Sequence, residues 1–512
     1  MRNVNQMKAG VVLTYVNMGL GTLIPMFYTP VMLRILGQNE YGLYSLSNSV
    51  ISYLSLLSFG LGGTIVRYIA KYRAEGKKNE LEHIAGMSIM LYSFLAFLVI
   101  FVGIILSFNS TYIFQQGLTA GEQEKIRILI IIMSFNTAIS FPISVFSSIV
   151  MAYERYIYRQ CVNIFSTILA PCANLVALYL GYTSIGLAVS STVLQVLMLP
   201  LYAGYCYKVL DVHPRFKNPP FHLLREILGF SLFVFLGSLV DLLFWSTDKV
   251  ILGMLAGTSA VAVYNIGSQF NSMMTNLSTA FTSVLTPKTT IMAARNASDK
   301  EMTDLFIKVG RLQYNLISLV LSGFIVFGRQ FIILWAGNEY EDAFVIALVT
   351  LIPLSIPLIQ NTGYSILLAE NKHRFRSVVY LVIAIINIIS TYCVVPRWGG
   401  IGAAVCSGLS YVLGQGIIMN IYYYKVIGLD IPRFWKNIFR LSIVPIIMLL
   451  IGIYGVSKVA LNGWGSLFAG IIVYSVIFVF AIYFIGMNDY EKDIIKKPLT
   501  VIKNKFKIKK LK

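Results

Sequence analysis

Apolar stretches long enough to cross a bilayer recur from one end of the chain to the other, separated by short polar segments. A membrane-spanning helix needs roughly 20 mostly apolar residues. Windows of that kind fall at residues 9–33, 42–66, 85–107, 127–152, 160–181, 184–207, 227–252, 259–286, 312–334, 343–369, 377–396, 399–424, 438–460 and 464–487. Residues 160–207 carry no charge and are too long for one crossing, so a turn is expected at Gly181-Tyr182. The pattern predicts an all-α, polytopic membrane protein of about fourteen transmembrane helices, with no sizeable soluble domain. The first stretch, beginning near Ala9, lacks a small-residue cleavage site and reads as a retained helix.

Composition agrees with bilayer as solvent. Only 12% of the residues are charged, about half the share of a soluble chain. The formal charge of +19 does not indicate nucleic acid, because the cations sit at the ends of apolar helices rather than on a basic domain. Their distribution sets orientation, since Lys and Arg favour cytoplasmic loops. Connections after even-numbered spans are rich in them: Arg67, Lys71, Arg73, Lys77 and Lys78; Arg155 and Arg159; Lys208, Arg215, Lys217 and Arg225; Lys288, Arg295, Lys300 and Lys308; Lys372, Arg374 and Arg376; Lys425, Arg433 and Lys436. Intervening connections are neutral or acidic, as at Glu122 and Glu124, so both termini are expected in the cytoplasm. The lysine-rich tail from Lys492 is expected to hold to anionic membrane lipids. Five cysteines without CxxC spacing and four loop histidines suggest neither a disulfide framework nor a metal site.

The chain repeats itself. LGQNEYGLYSLSNSVISYLS from Leu36 aligns without gaps with AGTSAVAVYNIGSQFNSMMT from Ala256, pairing Gly37 with Gly257 and Tyr44 with Tyr264. Further matches follow in the same order: AEGKKNELEHI from Ala74 with ARNASDKEMTD from Ala294, MAYERYIYRQ from Met151 with LAENKHRFRS from Leu368, IGLAVSS from Ile185 with IGAAVCSG from Ile401, and HPRF from His213 with IPRF from Ile431. Two six-helix lobes are expected, residues 1–218 and 219–436, then an extra helix pair (437–487) and a basic cytoplasmic tail (488–512). Because six is even, the lobes are parallel repeats; transporters so built bind substrate between them.

Polar residues inside spans are the candidate chemistry. In the second span Ser45, Asn48, Ser49, Ser52 and Ser55 share a helical face, and in the eighth Asn265, Ser268, Gln269, Ser272, Thr275 and Asn276 share the equivalent one. Such residues also glue packed membrane helices together, but two related stripes suit a hydrophilic cavity. In the seventh span Ser231, Ser238, Asp241, Trp245 and Asp248 follow one stripe, with Lys249 alongside. An intramembrane ionisable residue normally faces water or a partner. Asp241, near mid-span, is therefore the leading candidate for a proton or sodium site or a substrate contact, against the alternative of an acid paired for packing. Asp248 and Lys249 lie nearer the outer interface, where snorkelling anchors are common. Cations for an anionic substrate are available at the outer ends (Arg34, Lys249, Arg329, Arg397) and inner ends (Arg67, Arg155, Arg159, Arg376), while the centre of either lobe has none. Gly19, Gly21, Pro25 and Pro30 predict a bent first helix.

No GxxxxGK[ST] phosphate loop, HExxH motif or long outer loop is present in the sequence, so an enzyme is not expected, and no cofactor is called for beyond H+ or Na+ as coupling ion. The segments RILGQNEYGLYSLSNSVISYLSLLSFGLGGTIVRYIAKYR, from Arg34, and TDKVILGMLAGTSAVAVYNIGSQF, from Thr247, resemble the two lobe openings of Wzx-type polysaccharide repeat-unit (O-antigen or capsule) flippases of the multidrug/oligosaccharidyl-lipid/polysaccharide exporter superfamily. The resemblance spans the chain, the last two helices included. It implies alternating access in a bacterial plasma membrane, with an undecaprenyl-pyrophosphate-linked oligosaccharide moved from inner to outer leaflet. It also implies a polysaccharide polymerase and chain-length regulators as partners. On that reading the headgroup passes Arg67, Arg155 and Arg376, crosses the polar faces of spans two and eight, and leaves near Arg34. A cation-coupled drug exporter, a lipid-II or sporulation-type flippase and, more remotely, a polysaccharide polymerase or lipid glycosyltransferase stay open as alternatives.

Overall fold

The computed structural model describes residues 5–217, 221–283, 291–292, 295, 297–370, 372–459, 461, 463–493 and 496. Of the residues singled out above, Lys288 and the tail beyond Lys496 lie outside the described residues, as do the side chains of Arg225 and Ser231. Among the described residues every regular element is helical. The order is α1 (Gln6–Leu36), α2 (Gln38–Ser55), α3 (Leu61–Ala74), α4 (Lys78–Ile113), α5 (Ala120–Ala152), α6 (Tyr156–Tyr179), α7 (Ser184–Lys208), α8 (Phe221–Leu255) and α9 (Gly257–Ser283). It continues with α10 (Asp299–Ala336), α11 (Asp342–Ile359), α12 (Asn361–Ala369), α13 (His373–Tyr411), a π-helical turn (Val412–Met419), α14 (Asn420–Lys425), α15 (Ile431–Lys458) and α16 (Trp464–Ala481).

Eleven helical segments among the described residues are long and apolar enough to cross a bilayer. One of them, Arg374–Lys425, is 52 residues long and breaks at Gly399, where φ is 52° and ψ −138°, so it makes two crossings. Helices α8 and α9, with 35 and 27 residues, bring the crossings to the expected fourteen. Several helices outrun their apolar windows: α4 spans 36 residues because polar turns extend it beyond the hydrocarbon layer.

Local chemistry sets the helix ends. Asn5 caps α1 by accepting from the Lys8 amide, and Thr119/Glu122 and Ser298/Glu301 form capping boxes at α5 and α10. Gly37 and Gly257 have φ of 78° and 88°, positive values that glycine adopts readily and residues with a Cβ rarely do. Gly37 is the one residue between α1 and α2, and Gly257 opens α9 directly after Ala256, so each glycine stands where the chain turns sharply from one helix to the next, which explains why the repeat pairs them. Within spans, Ser and Thr hydroxyls donate back to carbonyls of the preceding turn, as Ser47 to Leu43 and Thr192 to Ala188, so their polarity is satisfied internally.

Two compact units emerge from the packing. Unit 1 comprises residues 1–265 and 384–403, and unit 2 residues 266–383 and 404–512. In unit 1, α4 packs along α5, α5 along α7 and α1 along α6. Small residues let backbones meet: a Cβ on Gly42 would stand 1.9 Å from the Thr258 carbonyl oxygen, and one on Gly117 2.1 Å from that of Gly253. Glu122 accepts from Thr258 Oγ1 at 2.6 Å, and Glu40 is hydrogen-bonded by Lys125 and Ser184. In unit 2, Phe327, Val444, Met448, Leu467, Tyr474 and Phe478 form a core joining α10, α15 and α16. Arg311 donates to both carboxylate oxygens of Glu491, at 2.6 and 3.0 Å, and to the Gly486 carbonyl. The exposed residues include Phe94, Phe97, Phe101 and Phe108 on α4 and Phe439, Ile443, Ile447 and Leu450 on α15. Exposure of large apolar side chains on this scale would drive a soluble protein to aggregate; a bilayer covers it.

Candidate substrate cavity

Unit 1 holds an open cavity of about 390 Å³ lined by Tyr28, Met32, Tyr41, Tyr44, Ser45, Asn48, Ser49, Ser52, Asn174, Ser246, Lys249 and Asn265. The residues arrive from five elements, and each is presented by helical periodicity. Helix α2 brings Tyr41, Tyr44, Ser45, Asn48, Ser49 and Ser52 at three- and four-residue steps, which keeps them on one face. Helices α1 and α6 add Tyr28, Met32 and Asn174, α8 adds Ser246 and Lys249, and α9 adds Asn265.

Hydrogen bonds hold this wall in place. Asn265 Nδ2 donates to Tyr41 Oη at 2.6 Å and to Ser45 Oγ at 3.1 Å. Ser52 Oγ donates to Ser246 Oγ at 3.2 Å, and the Tyr53 and Thr247 hydroxyls are hydrogen-bonded to each other at 2.5 Å. Asn174 accepts from Ser190. Hydroxyls and amides therefore dominate the polar lining, with three tyrosine rings beside them. Lys249 is the one charged residue among those lining the cavity. The charge of Asp248, next in sequence, acts on this ammonium from outside the lining, and within the lining the ammonium can meet an anionic group while the surrounding amides and hydroxyls donate to and accept from a hydroxyl-rich ligand.

Asp248, next to Lys249 in sequence, points elsewhere. It is 1% exposed and accepts hydrogen bonds from Tyr264 Oη at 2.5 Å and Thr391 Oγ1 at 3.4 Å. Asp241 lies exposed on the same helix and outside the cavity lining. Of the two acids on that stripe, the buried one is thus Asp248. A helical stripe tells which residues share a direction but not what packs there, and Thr391 comes from a segment 143 residues away.

The remaining singled-out residues divide as follows. Asn48, Ser52 and Lys249 come together in the cavity. Arg34, Arg67 and Arg155 are exposed. Gln269, Ser272 and Asn276 belong to unit 2, where Ser272 and Asn276 are exposed and Gln269 half-buried. Arg376, also in unit 2, is clamped between the Tyr364 and Tyr380 rings at 4.2 and 4.4 Å, and Tyr380 in turn donates to Gln415 of the π-helical turn at 2.7 Å. Sequence reasoning missed Tyr28, Asn174 and Ser246. Tyr28 and Asn174 are lone polar residues in largely apolar stretches, and Ser246 sits in the polar run Ser246-Thr247-Asp248-Lys249 off the stripe of Asp241 and Asp248, so no stripe singles any of them out.

Residues 7–292, more than half of the chain, match the polysaccharide biosynthesis protein family. The chain belongs to that family. This polysaccharide biosynthesis protein is 23% identical over 492 residues to an uncharacterized membrane protein of Methanocaldococcus jannaschii, covering 91% of the chain and 94% of that relative. It is 20% identical to a putative O-antigen transporter of Shigella flexneri, covering 78% of the chain and 94% of the relative. Its fold is that of the lipid II flippase MurJ in an inward closed conformation, with a TM-score of 0.73, 14% identity, and 93% and 98% of the two chains covered. The expected kinship with Wzx-type flippases and their exporter superfamily is borne out. The chain is thus a multi-span membrane protein of the polysaccharide biosynthesis family.

Proposed function

We propose that this transporter flips undecaprenyl-pyrophosphate-linked oligosaccharide repeat units from the inner to the outer leaflet of a bacterial plasma membrane by alternating access, for surface polysaccharide synthesis. The observation that carries the proposal is the unit 1 cavity, whose single cation, Lys249, sits among hydroxyls, amides and tyrosine rings with no acid in the lining. Such a wall suits a headgroup that combines negative charge with sugar hydroxyls. It suits a cationic drug poorly, because the ammonium repels it. Family membership and the O-antigen transporter among the relatives support the same class of cargo. The lipid tail stays in the bilayer, while the exposed Arg67 and Arg155 of unit 1 meet the incoming phosphates and Arg34 the departing ones; Arg376, stacked between Tyr364 and Tyr380 in unit 2, is given no part in that contact. Asp248, buried between Tyr264 and Thr391, is the group through which H+ or Na+ would couple, ahead of the exposed Asp241.

The test is complementation of a strain lacking its own repeat-unit flippase, read as surface polysaccharide. Lys249→Gln is expected to abolish polysaccharide at unchanged protein level, with Lys249→Arg retaining part of it. Wild-type polysaccharide from Lys249→Gln would remove the basis of the proposal. A gain of drug resistance without polysaccharide would favour the exporter alternative instead.

A further inference from the structure

Helix α15 opens with a charged cluster that the transport reading leaves unused. Pro432, Trp435, Lys436, Phe439, Arg440 and Ile443 line a shallow recess of about 580 Å³ in unit 2. Lys436 and Arg440 are both exposed and stand one helical turn apart on one face. Like charges at i and i+4 destabilise a helix when nothing lies between them. Neighbouring arginines meet acids: Arg433 pairs with Asp304 at 2.9 Å and Arg311 with Glu491. Among the described residues no carboxylate forms an ion pair with Lys436 or Arg440, so their repulsion calls for an anion from outside the chain.

The floor of the recess is rigid and apolar. Trp435 Nε1 donates to Asn420 Oδ1 at 3.2 Å, and its ring packs against Phe434 and Phe439 at centroid distances of 5.5 and 5.8 Å. From Phe439 the same face runs on through Ile443, Ile447 and Leu450, all exposed. Two cations above, aromatic rings at their level and an aliphatic stripe below match the layering of one lipid molecule in a leaflet. The six lining side chains include no hydroxyl or amide, so the recess reads charge and chain but not a glycan.

We propose that this face of α15 binds one anionic phospholipid, its phosphate between Lys436 and Arg440 and its acyl chains along Phe439, Ile443, Ile447 and Leu450. The occupant is a resident lipid of the cytoplasmic leaflet, the side on which the charge distribution of the sequence puts this end of α15. The inference stands apart from the identity of the transported cargo.

The experiment is native mass spectrometry of the full-length protein titrated with phosphatidylglycerol or with phosphatidylcholine of the same chains. One phosphatidylglycerol is expected to bind in preference to phosphatidylcholine. Lys436→Gln/Arg440→Gln should weaken its binding by about thirtyfold, the effect of two basic residues near a membrane surface. The charge-keeping exchange Lys436→Arg/Arg440→Lys should retain it, as should Lys71→Gln/Lys77→Gln at a distant basic connection. Equal phosphatidylglycerol binding by the wild type and Lys436→Gln/Arg440→Gln would overturn the proposal. Displacement of the bound lipid by equimolar undecaprenyl diphosphate would overturn it as well, by assigning the recess to a polyprenyl carrier.

Discussion

Replacing Gly42 by alanine tests whether the backbone contact between α2 and α9 governs opening of unit 1. A Cβ there would sit 1.9 Å from the Thr258 carbonyl oxygen and 2.6 Å from its carbon. Real Cβ contacts essentially never fall below 3.0 Å, so the two backbones must part by about an ångström. Neither partner is a flexible side chain that could swing aside, and overpacking of this kind costs about 1–3 kcal/mol. Parting also stretches the 2.6 Å bond from Thr258 to Glu122. Taking ~2 kcal/mol, the population with this contact open should rise roughly thirtyfold, at 1.4 kcal/mol per decade. Ala262, one turn on from Thr258 and 0% exposed, reports the change. In an Ala262→Cys background, a membrane-impermeant maleimide should label that position much faster once Gly42→Ala is added. Peptide mass spectrometry locates the label, so the native cysteines can stay, with Gln116→Cys at an exposed position of the connection between α4 and α5 as the reference. Labelling of Ala262→Cys unchanged by Gly42→Ala, at equal abundance and equal reference labelling, would refute the reasoning.

The buried pair Arg311–Glu491 should behave asymmetrically. Glu491→Gln leaves a buried guanidinium without its counter-charge and is expected to cost about 3–5 kcal/mol, whereas Arg311→Met/Glu491→Leu should recover most of it; thermal unfolding in detergent checks both. At the connection after α7, the hydrogen bond and charge of Lys78 hold the Asp211 carboxyl below the usual carboxylate range. A depressed pKa gives stabilisation that is present above the unfolded value, near pH 3.9, and is lost as pH falls through the folded one. A nitroxide at Val209→Cys should therefore gain mobility only under acid, while added Asp211→Asn should make its spectrum mobile, and insensitive to pH, throughout.

Much of the architecture is legible in the sequence because a bilayer simplifies the problem. Backbone groups in hydrocarbon must be bonded internally, so an apolar run of sufficient length has only a helix open to it. That is why the fourteen windows correspond to helices, and why the turn expected at Gly181-Tyr182 falls between α6 and α7. The polar stripe of α2 was equally visible, since Asn48 and Ser52 recur at helical spacing and both line the cavity. What periodicity does not carry is the partner across the helix. Nothing local distinguishes Asp241 from Asp248, which lie two turns apart; the difference is that Tyr264 and Thr391 happen to meet one of them. The place of Lys249 in its window sets its depth and suggests an interfacial anchor, while its direction depends on α2 and α3 packing against α8. The Arg311–Glu491 pair joins residues 180 positions apart and has no signature in either segment.

The abrupt turns at Gly37 and at Ala256-Gly257 have a bearing on how cells would encounter this protein. With helices reversing so abruptly, little polypeptide protrudes on that side for a protease to clip, an antibody to grasp or a downstream enzyme to dock against. Any machinery that receives the delivered cargo would then have to meet it at the helix rims or in the leaflet itself. An epitope tag spliced beside either glycine should disrupt the hairpin, whereas one placed at Gly181-Tyr182, in the exposed turn between α6 and α7, should be tolerated and mark the face that the charge distribution puts outside.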